Sequence, residues 1–282
     1  MVKSTSDVQV ALIYMSISTA LLANGAVIFS RRPIPVGMKL FYRLKVSLAF
    51  TDVLRVAVGY LPEILFVQDI KSNGTPCHVI GFFNIFLSYV AISHIMLLLA
   101  IQCIDDRHHS HWHKVVNSNW FRFILVVFAW FYGLLALFPL FGYSRYEVDS
   151  GICSLDWKLC KESNSVITYM VSLFVFYYFL PTAIVVGAVY MVKKKLGRMP
   201  KNSSDDEDQQ LLAGRKRAAT IHAVCTLVMA IVFFAAWTPY ACVGFMAIID
   251  REVSYTVKFI SAFLGKLTTC LNPLFTILMW YL

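Results

Sequence analysis

The sequence predicts an all-α membrane protein, a bundle of seven transmembrane helices with the amino terminus outside. Three observations support this fold class. Of the 282 residues, 59% are hydrophobic and only 15% are charged, whereas an ordinary soluble domain has about 25% charged residues. The apolar residues come in seven runs long enough to span a bilayer. The basic residues are concentrated in alternate loops, as expected of a multi-pass membrane protein.

The seven apolar runs define the predicted helices. They cover roughly residues 8–30, 44–66, 78–104, 121–141, 165–192, 217–248 and 255–282. Because lipid offers the backbone no hydrogen-bond partners, each run is expected to be helical. Together they form a single membrane domain, residues 1–282. The polar segment 194–216 contains four consecutive acidic residues, and it is predicted to be a mobile cytoplasmic loop.

The net charge of +9 is a topology signal, and nucleic-acid binding is not expected. Sixteen Lys and Arg residues lie in the loops that follow helices one, three and five, against seven in the loops on the other side. The positive-inside rule therefore predicts a multi-pass protein of the cell membrane with its amino terminus extracellular. The basic excess also suits contact with the anionic lipids of the inner leaflet.

The loops that are predicted to lie outside carry two features of extracellular proteins. Asn73 begins an Asn-Gly-Thr sequon and is a predicted glycosylation site. Cys77 opens helix three and Cys153 lies in the middle of the next outer loop. Disulfides persist in this compartment, so we predict one between these two cysteines. Cys160 is left over in the same loop, and the sequence leaves open whether it competes.

The sequence predicts no metal centre and no catalytic residue of a hydrolase. Four histidines stand close together, at His108, His109, His111 and His113. They lie in a short basic inner loop, and we interpret them as a solvated interfacial stretch.

The candidates for charged residues at membrane depth are Asp52, Arg55, Glu63, His94 and Lys266. A charge at membrane depth costs about 2.5–3.5 kcal/mol on insertion scales, so each requires a partner or a function. From the rise of a helix, Lys266 lies about 9 Å further outward than Asn272, and Glu63 lies about 16 Å further outward than Asp52. If Asp52 and Asn272 share one level, Lys266 and Glu63 are close enough to pair.

A lysine at this depth also has a chemical use. A low-dielectric pocket favours the neutral form of an amine, and a neutral amine is a nucleophile toward aldehydes. A nearby carboxylate then keeps the resulting imine protonated. The alternative is that Lys266 extends toward the membrane surface or makes only a structural ion pair.

Several short sequence motifs lie along the predicted helices. They are Leu22-Ala23-Asn24, Leu48-Ala49-Phe50-Thr51-Asp52, Trp130, Pro139-Leu140-Phe141-Gly142-Tyr143-Ser144-Arg145-Tyr146, Pro181, Ala236-Trp237-Thr238-Pro239-Tyr240 and Asn272-Pro273. Together with Lys266, six residues before Asn272, they resemble the opsins, the retinal-binding branch of the rhodopsin-like G-protein-coupled receptors. In opsins the retinal-linking lysine has this spacing.

The resemblance implies a chromophore and a partner. Retinal, 11-cis or all-trans, would be held through a Schiff base on Lys266, and light would trigger signalling to a heterotrimeric G protein. Trp237 and Tyr240 would line the polyene, unless they are ordinary core aromatics. Further walls would come from Tyr89, Phe82, Phe83 and Phe179. An activation network would comprise Asn24, Asp52, Asn272, Pro273, Asp106 and Arg107.

The counterion is open among three acids. Ile80 stands where vertebrate visual opsins have a glutamate, three residues after the helix-three cysteine. Glu147 and Asp149 lie in the second outer loop, where many other opsins use an acid. Glu63 is the membrane-embedded rival. We favour Glu63, because exposed loop acids are usually solvated whereas a buried acid requires a partner.

Three features depart from the opsin pattern. Asp106-Arg107-His108 replaces Asp-Arg-Tyr and follows Cys77 by thirty residues. Thr276 stands where the Asn-Pro-x-x-Tyr motif has its tyrosine. Arg55 follows Asp52 by three residues, a spacing that predicts a simple ion pair between them.

These departures leave two alternatives to a signalling opsin. One is a retinal photoisomerase opsin of the peropsin or retinochrome type, which would convert all-trans retinal to the 11-cis form with little or no G-protein signalling. The other is a seven-helix receptor whose diffusible ligand pairs with Lys266 and which binds no retinal.

Overall fold

The computed structural model describes residues 2–30, 39–67, 75–104, 118–142, 144–149, 152–157, 159, 164–197, 207–249 and 251–281. These residues form seven long helices and one two-stranded hairpin. The uninterrupted helices are α1 (Val2–Ile28), α3 (Thr75–Ile104), α6 (Glu207–Ile248) and α7 (Tyr255–Tyr281). The predicted all-α bundle of seven helices is confirmed.

Three helices change their winding along their length. Helix α2 consists of Lys39–Leu54, a π-helical segment Arg55–Tyr60, and Leu61–Val67. Helix α4 runs through Asn119–Tyr132 and continues as a 3₁₀ helix, Gly133–Phe141. Helix α5 consists of Asn164–Phe174, a π-helical segment Val175–Phe179, and Leu180–Gly197.

Both π-helical segments end two residues before a proline, Pro62 in α2 and Pro181 in α5. A proline has no backbone N–H, so the carbonyl four residues earlier loses its helical partner. Wider turns are a known way for a helix to absorb this loss. Each wide turn also shifts the direction of the side chains around it.

The apolar character of the helices agrees with a membrane protein. Within the part of the chain that the structure describes, six helices are long and apolar enough to cross a membrane, namely α1 and α3 to α7. Helix α2 is not among them. It carries Asp52, Arg55 and Glu63, all of which are buried inside the bundle.

Helix α6 begins earlier than the sequence predicts. Its first residue is Glu207, ten residues before the predicted start at 217, and α5 continues to Gly197. Much of the predicted mobile loop 194–216 is therefore helical, while residues 198–206 lie outside the described residues. The added turns contain Gln, Leu and Ala, which favour helix, but they are too polar to register as part of an apolar run.

Helix α3 runs through the centre of the bundle. Its side chains at Leu87, Val90, Ala91, Ile95 and Leu98 are at most 2% exposed. By contrast, α4 and α5 present large apolar side chains outward, including Phe123, Phe131 and Phe176. This distribution is expected where lipid, and not water, surrounds the bundle.

The hairpin covers one end of the bundle, which we call the hairpin end. Strand β1 (Tyr146–Asp149) pairs antiparallel with β2 (Ile152–Leu155), so that Tyr146 lies opposite Leu155. The buried Tyr146 hydroxyl donates to the Ala136 carbonyl of α4 at 2.7 Å. The predicted disulfide between Cys77 and Cys153 is present and ties β2 to the start of α3.

Candidate functional site

The structure brings Lys266 of α7 and Glu63 of α2 together. The Lys266 Nζ atom donates to Glu63 Oε2, and their side chains are only 15% and 5% exposed. The other carboxylate oxygen, Oε1, accepts from the backbone N–H of Cys153 at 2.8 Å. Glu63 therefore links α2, α7 and the hairpin, and both of its oxygens are occupied.

Two adjoining cavities lie beside this ion pair. The first, which we call the aromatic cavity, is lined by side chains of α3, α5, α6 and the hairpin segment, including Tyr89, Trp237 and Tyr240. The second, which we call the polar cavity, is lined by Lys266 together with Arg55 and Asn84. The cavities share four lining residues: Ile85, Ser88, Trp237 and Tyr240. Lys266 thus lines the polar cavity, which borders the largely apolar aromatic cavity.

The shape and chemistry of this space suit a long apolar ligand with a reactive end. Ligand sites are typically apolar cavities with a few placed polar groups. Here the polar groups line the polar cavity with Lys266, and aromatic rings line the aromatic cavity. The Trp237 and Tyr240 rings, which border both cavities, meet edge to face at 5.8 Å. The residues present therefore fit a polyene aldehyde such as retinal.

Three of the predicted aromatic walls do not line either cavity. Phe82 and Phe83 contact each other at 5.1 Å between ring centroids, and Phe82 stacks on Phe86. Phe179 is 61% exposed on the outside of α5. The π-helical segment accounts for this difference, because it turns Tyr177 and Tyr178 toward the cavity in place of Phe179.

Several lining residues were missed by the sequence reasoning. Tyr177, Tyr178, Phe174 and Trp157 line the aromatic cavity, and Tyr60 lines the polar cavity. The positions of the two prolines were the sequence signal for these residues, because they indicate where each helix changes its winding and therefore which side chains point into the bundle. Trp157 follows β2 in an irregular segment, and no sequence pattern distinguishes it.

The predicted pair between Asp52 and Arg55 is wrong. No ion pair joins them, and Asp52 Oδ2 instead accepts from Asn272 Nδ2 at 3.0 Å. Arg55 is the first residue of the π-helical segment, so the α-helical spacing assumed for the pair does not hold there. Its guanidinium carbon lies 5.2 Å from the Tyr60 ring centroid and 5.1 Å from that of Trp237.

Further polar residues of the bundle make structural hydrogen bonds. Asn24 Nδ2 donates to the carbonyl oxygen of Thr269 at 2.8 Å, which joins α1 to α7. Pro273 and Thr276 are buried in α7. The ring of His94 bonds to the Val90 carbonyl and to Ser47 Oγ, each at 2.8 Å. These interactions hold neighbouring helices together and leave His94 satisfied.

Some predicted site residues fall outside what the structure describes. Asn73, Asp106, Arg107, Cys160 and the four inner-loop histidines belong to this group, as do the side chains of Glu147 and Asp149. The β1 backbone places Glu147 opposite Ser154. Among the described residues, no cluster of three or more potential metal ligands occurs.

Comparisons with known proteins agree with this architecture. The profile of the 7 transmembrane receptor (rhodopsin family) matches residues 26–275. The mouse visual pigment-like receptor peropsin is 23% identical over 242 residues, which cover 81% of this chain and 67% of that protein. The goldfish green-sensitive opsin-1 is 26% identical over 83% of this chain and 67% of its own length. The crystal structure of squid rhodopsin superposes with a TM-score of 0.73 at 19% identity, covering 93% of this chain and 78% of that chain.

Proposed function

The chain belongs to the rhodopsin family of seven-transmembrane receptors, and from this premise we propose that it is an opsin that holds retinal on Lys266 and signals to a heterotrimeric G protein in light. The observation that carries the proposal is the buried contact between Lys266 and Glu63 at the end of the aromatic cavity. Bound to the lysine as an imine, retinal supplies visible absorption and a light-driven isomerisation.

Glu63 is proposed as the counterion. A carboxylate in contact with the lysine nitrogen favours the positively charged form of that nitrogen. The Cys153 N–H fixes the orientation of the carboxylate through Oε1, and the disulfide at the same residue fixes the position of β2. Glu63 is buried, so water competes little with either contact.

The aromatic cavity is proposed to hold the polyene. Tyr89, Trp237 and Tyr240 supply flat apolar surfaces around it. Gly265 of α7 lets the Trp237 ring lie close to the helix, because a Cβ at that position would be 3.2 Å from three ring atoms. The ring is thereby held between α7 and the cavity, where it limits the shapes a ligand can adopt.

An absorption spectrum tests the proposal. The full chain is purified in lipid nanodiscs, mixed separately with 11-cis and all-trans retinal, and compared with Lys266→Ala and Lys258→Ala variants. We expect a visible band that persists in Lys258→Ala and is lost in Lys266→Ala. Absence of a band with both isomers, in folded protein, would refute retinal binding and leave a receptor for a diffusible ligand.

A second candidate function is retinal photoisomerisation without signalling. It is favoured by Thr276, a small buried side chain at the position where the family motif has tyrosine. The two functions differ in two measurable ways. A signalling opsin forms its band with 11-cis retinal and accelerates nucleotide exchange on a G protein in light. A photoisomerase forms it with all-trans retinal, releases the 11-cis product and leaves exchange unchanged.

The membrane orientation is proposed from charge. With the basic loops facing the cytoplasm, the amino terminus and the hairpin end lie outside. Asn73 would then be accessible for glycosylation, and an Asn73→Gln variant is expected to lose the mass that a glycosidase removes. An unchanged mass would count against this modification.

A further inference from the structure

The polar cavity has an unbalanced charge. Two cationic side chains, Arg55 and Lys266, contribute to its lining, and none of the described residues that line it is an acid. Glu63 neutralises only Lys266, since its two oxygens bond to Lys266 Nζ and to the Cys153 N–H. Among the described residues, no carboxylate therefore makes an ion pair with Arg55, and Asp52 is the buried acid that interacts with it electrostatically.

Arg55 is an unusual buried cation. Its side chain is 1% exposed, and Nε and Nη1 have no hydrogen-bond partner among the described residues. The rings of Tyr60 and Trp237 lie near its guanidinium, and such contacts contribute only about 0.5–2 kcal/mol each. Removing a charge from water costs several kcal/mol. Ring contacts alone do not offset that cost. Asp52 attracts Arg55 electrostatically, but its Oδ2 accepts from Asn272 and no hydrogen bond joins its carboxylate to the guanidinium Nε or Nη1.

Further unpartnered donors surround the same cavity. The Asn84 amide is 7% exposed and the Tyr60 hydroxyl belongs to a side chain that is 2% exposed, and neither has a partner among the described residues. Gly59 lets the Asn84 amide approach α2, because a Cβ at position 59 would lie 2.0 Å from Asn84 Oδ1. Arg55, Tyr60 and Asn84 thus bring N–H and O–H donors to one small enclosed space.

We propose that the polar cavity binds a small inorganic anion of the halide class, with Arg55 as its cation and with Asn84 and Tyr60 as further donors. A spherical anion accepts hydrogen bonds from any direction, which suits donors that come from two helices. Its charge balances Arg55 and removes the cost of an unpaired guanidinium. The proposal does not depend on retinal, because all three residues belong to the chain itself.

Retinal-free protein provides the test. The full chain in neutral lipid nanodiscs is unfolded thermally in sodium chloride, in sodium bromide, and in sodium gluconate, whose anion is too large for the cavity, at equal ionic strength. A halide that binds the folded state raises the unfolding temperature in a saturable way. The rise is about 3–6 °C when the halide is about tenfold above its dissociation constant. Chloride NMR line broadening, reversed by bromide, measures the binding directly.

Variants locate the site. Arg55→Gln is expected to abolish the halide effect, while Arg251→Gln, on the exposed segment between α6 and α7, retains it. Asn84→Leu removes a hydrogen bond to a charged group and is expected to weaken halide affinity about ten- to hundredfold. Because Asn84→Leu keeps the arginine, it serves as the second variant if Arg55→Gln does not fold.

Two results overturn the proposal. In one, chloride and gluconate give the same unfolding temperature and the same NMR linewidth for the unmodified chain. In the other, the halide effect survives in folded Arg55→Gln protein, or folded Asn84→Leu protein binds halide with unchanged affinity, which locates the anion elsewhere. Both results are independent of retinal binding, so failure of this proposal is distinguishable from failure of the opsin proposal.

Discussion

The two halves of the bundle are held together by different kinds of interaction. At the hairpin end, the disulfide, the Lys266–Glu63 ion pair and the packed Tyr146 connect the hairpin with α2, α3, α4 and α7. Among the described residues of the opposite half, which we call the far half, hydrogen bonds join the helices. Gln102 Nε2 donates to Thr226 Oγ1 at 2.8 Å, and Lys195 Nζ donates to the Gln102 carbonyl at 2.6 Å.

This difference indicates which half is fixed and which half is free to rearrange. A neutral hydrogen bond such as Gln102–Thr226 contributes about 0.5–1.5 kcal/mol and one donated by a charged group such as Lys195 about 1.5–3 kcal/mol, whereas breaking a buried ion pair costs about 3–5 kcal/mol. A rearrangement of the far half therefore costs less than one at the hairpin end. This difference suits the proposed signalling function, in which the ligand contacts stay fixed while the far half changes between two conformations.

The largest expected effect follows from removing the carboxylate at the hairpin end. Glu63→Gln keeps an acceptor for the Cys153 N–H but leaves Lys266 buried without its partner. We expect the free energy of unfolding of the retinal-free protein to fall by about 3–5 kcal/mol. Reversible unfolding in mixed micelles measures it, with the exposed Glu252→Gln as the control. Equal losses in both variants would contradict a role for the ion pair in stability.

The second effect tests the packing of the hairpin against α3. A Cβ at Gly81 would lie 2.9 Å from three atoms of Tyr146, so Gly81→Ala is expected to cost about 1–3 kcal/mol. Gly187→Ala in α5 is the matched control, because nothing lies within 4 Å of its added Cβ. That control is expected to be neutral or to gain about 0.5–1 kcal/mol. The same unfolding assay measures both variants. Equal changes in the free energy of unfolding of Gly81→Ala and Gly187→Ala would show that the hairpin does not pack tightly.

The third effect addresses the far half. Gln102→Leu removes one hydrogen bond to Thr226 and is expected to cost about 0.5–1.5 kcal/mol. A double-mutant cycle with Thr226→Val isolates the pair. A loss from Gln102→Leu as large as that from Glu63→Gln would remove the contrast between the two halves.

Sequence reasoning succeeded where a single physical rule applied. Apolar run length predicted the helices. The rise per residue along two helices predicted that Lys266 and Glu63 lie close, and the structure places them in contact. The position of Cys77 and Cys153 predicted the disulfide. Each of these inferences depends on regular geometry or on compartment, and neither is disturbed by details of packing.

Sequence reasoning failed where the helical geometry changes. The spacing of Asp52 and Arg55 assumes 3.6 residues per turn, and the π-helical segment that starts at Arg55 breaks that assumption. Phe179 was expected in the pocket from the resemblance to opsins, but it is 61% exposed, and Tyr177 and Tyr178 of the π-helical segment line the aromatic cavity. The prolines that follow the two segments were visible, but how far each helix unwinds depends on its neighbours. The start of α6 was missed because polar helical turns leave no apolar signal.

The smallest expected effect distinguishes surface charge from burial at the hairpin end. Arg145 Nε pairs with Asp156 Oδ2 at 2.8 Å; the arginine side chain is 51% exposed, whereas that of Asp156 is 1% exposed. Water and salt screen the charge at the arginine end, and a glutamine at position 145 keeps an N–H donor for the buried carboxylate. Arg145→Gln is therefore expected to cost only about 0.2–1 kcal/mol, and less at high ionic strength. The measurement is the unfolding free energy at low and high salt, beside that of Gly81→Ala. A loss that matches Gly81→Ala and persists in high salt would mean that the Arg145–Asp156 pair, and not the buried contacts of Glu63 and Tyr146, fixes the hairpin. A small, salt-sensitive loss assigns the rigidity of this end to its buried contacts, which are the ones that hold Lys266 in place.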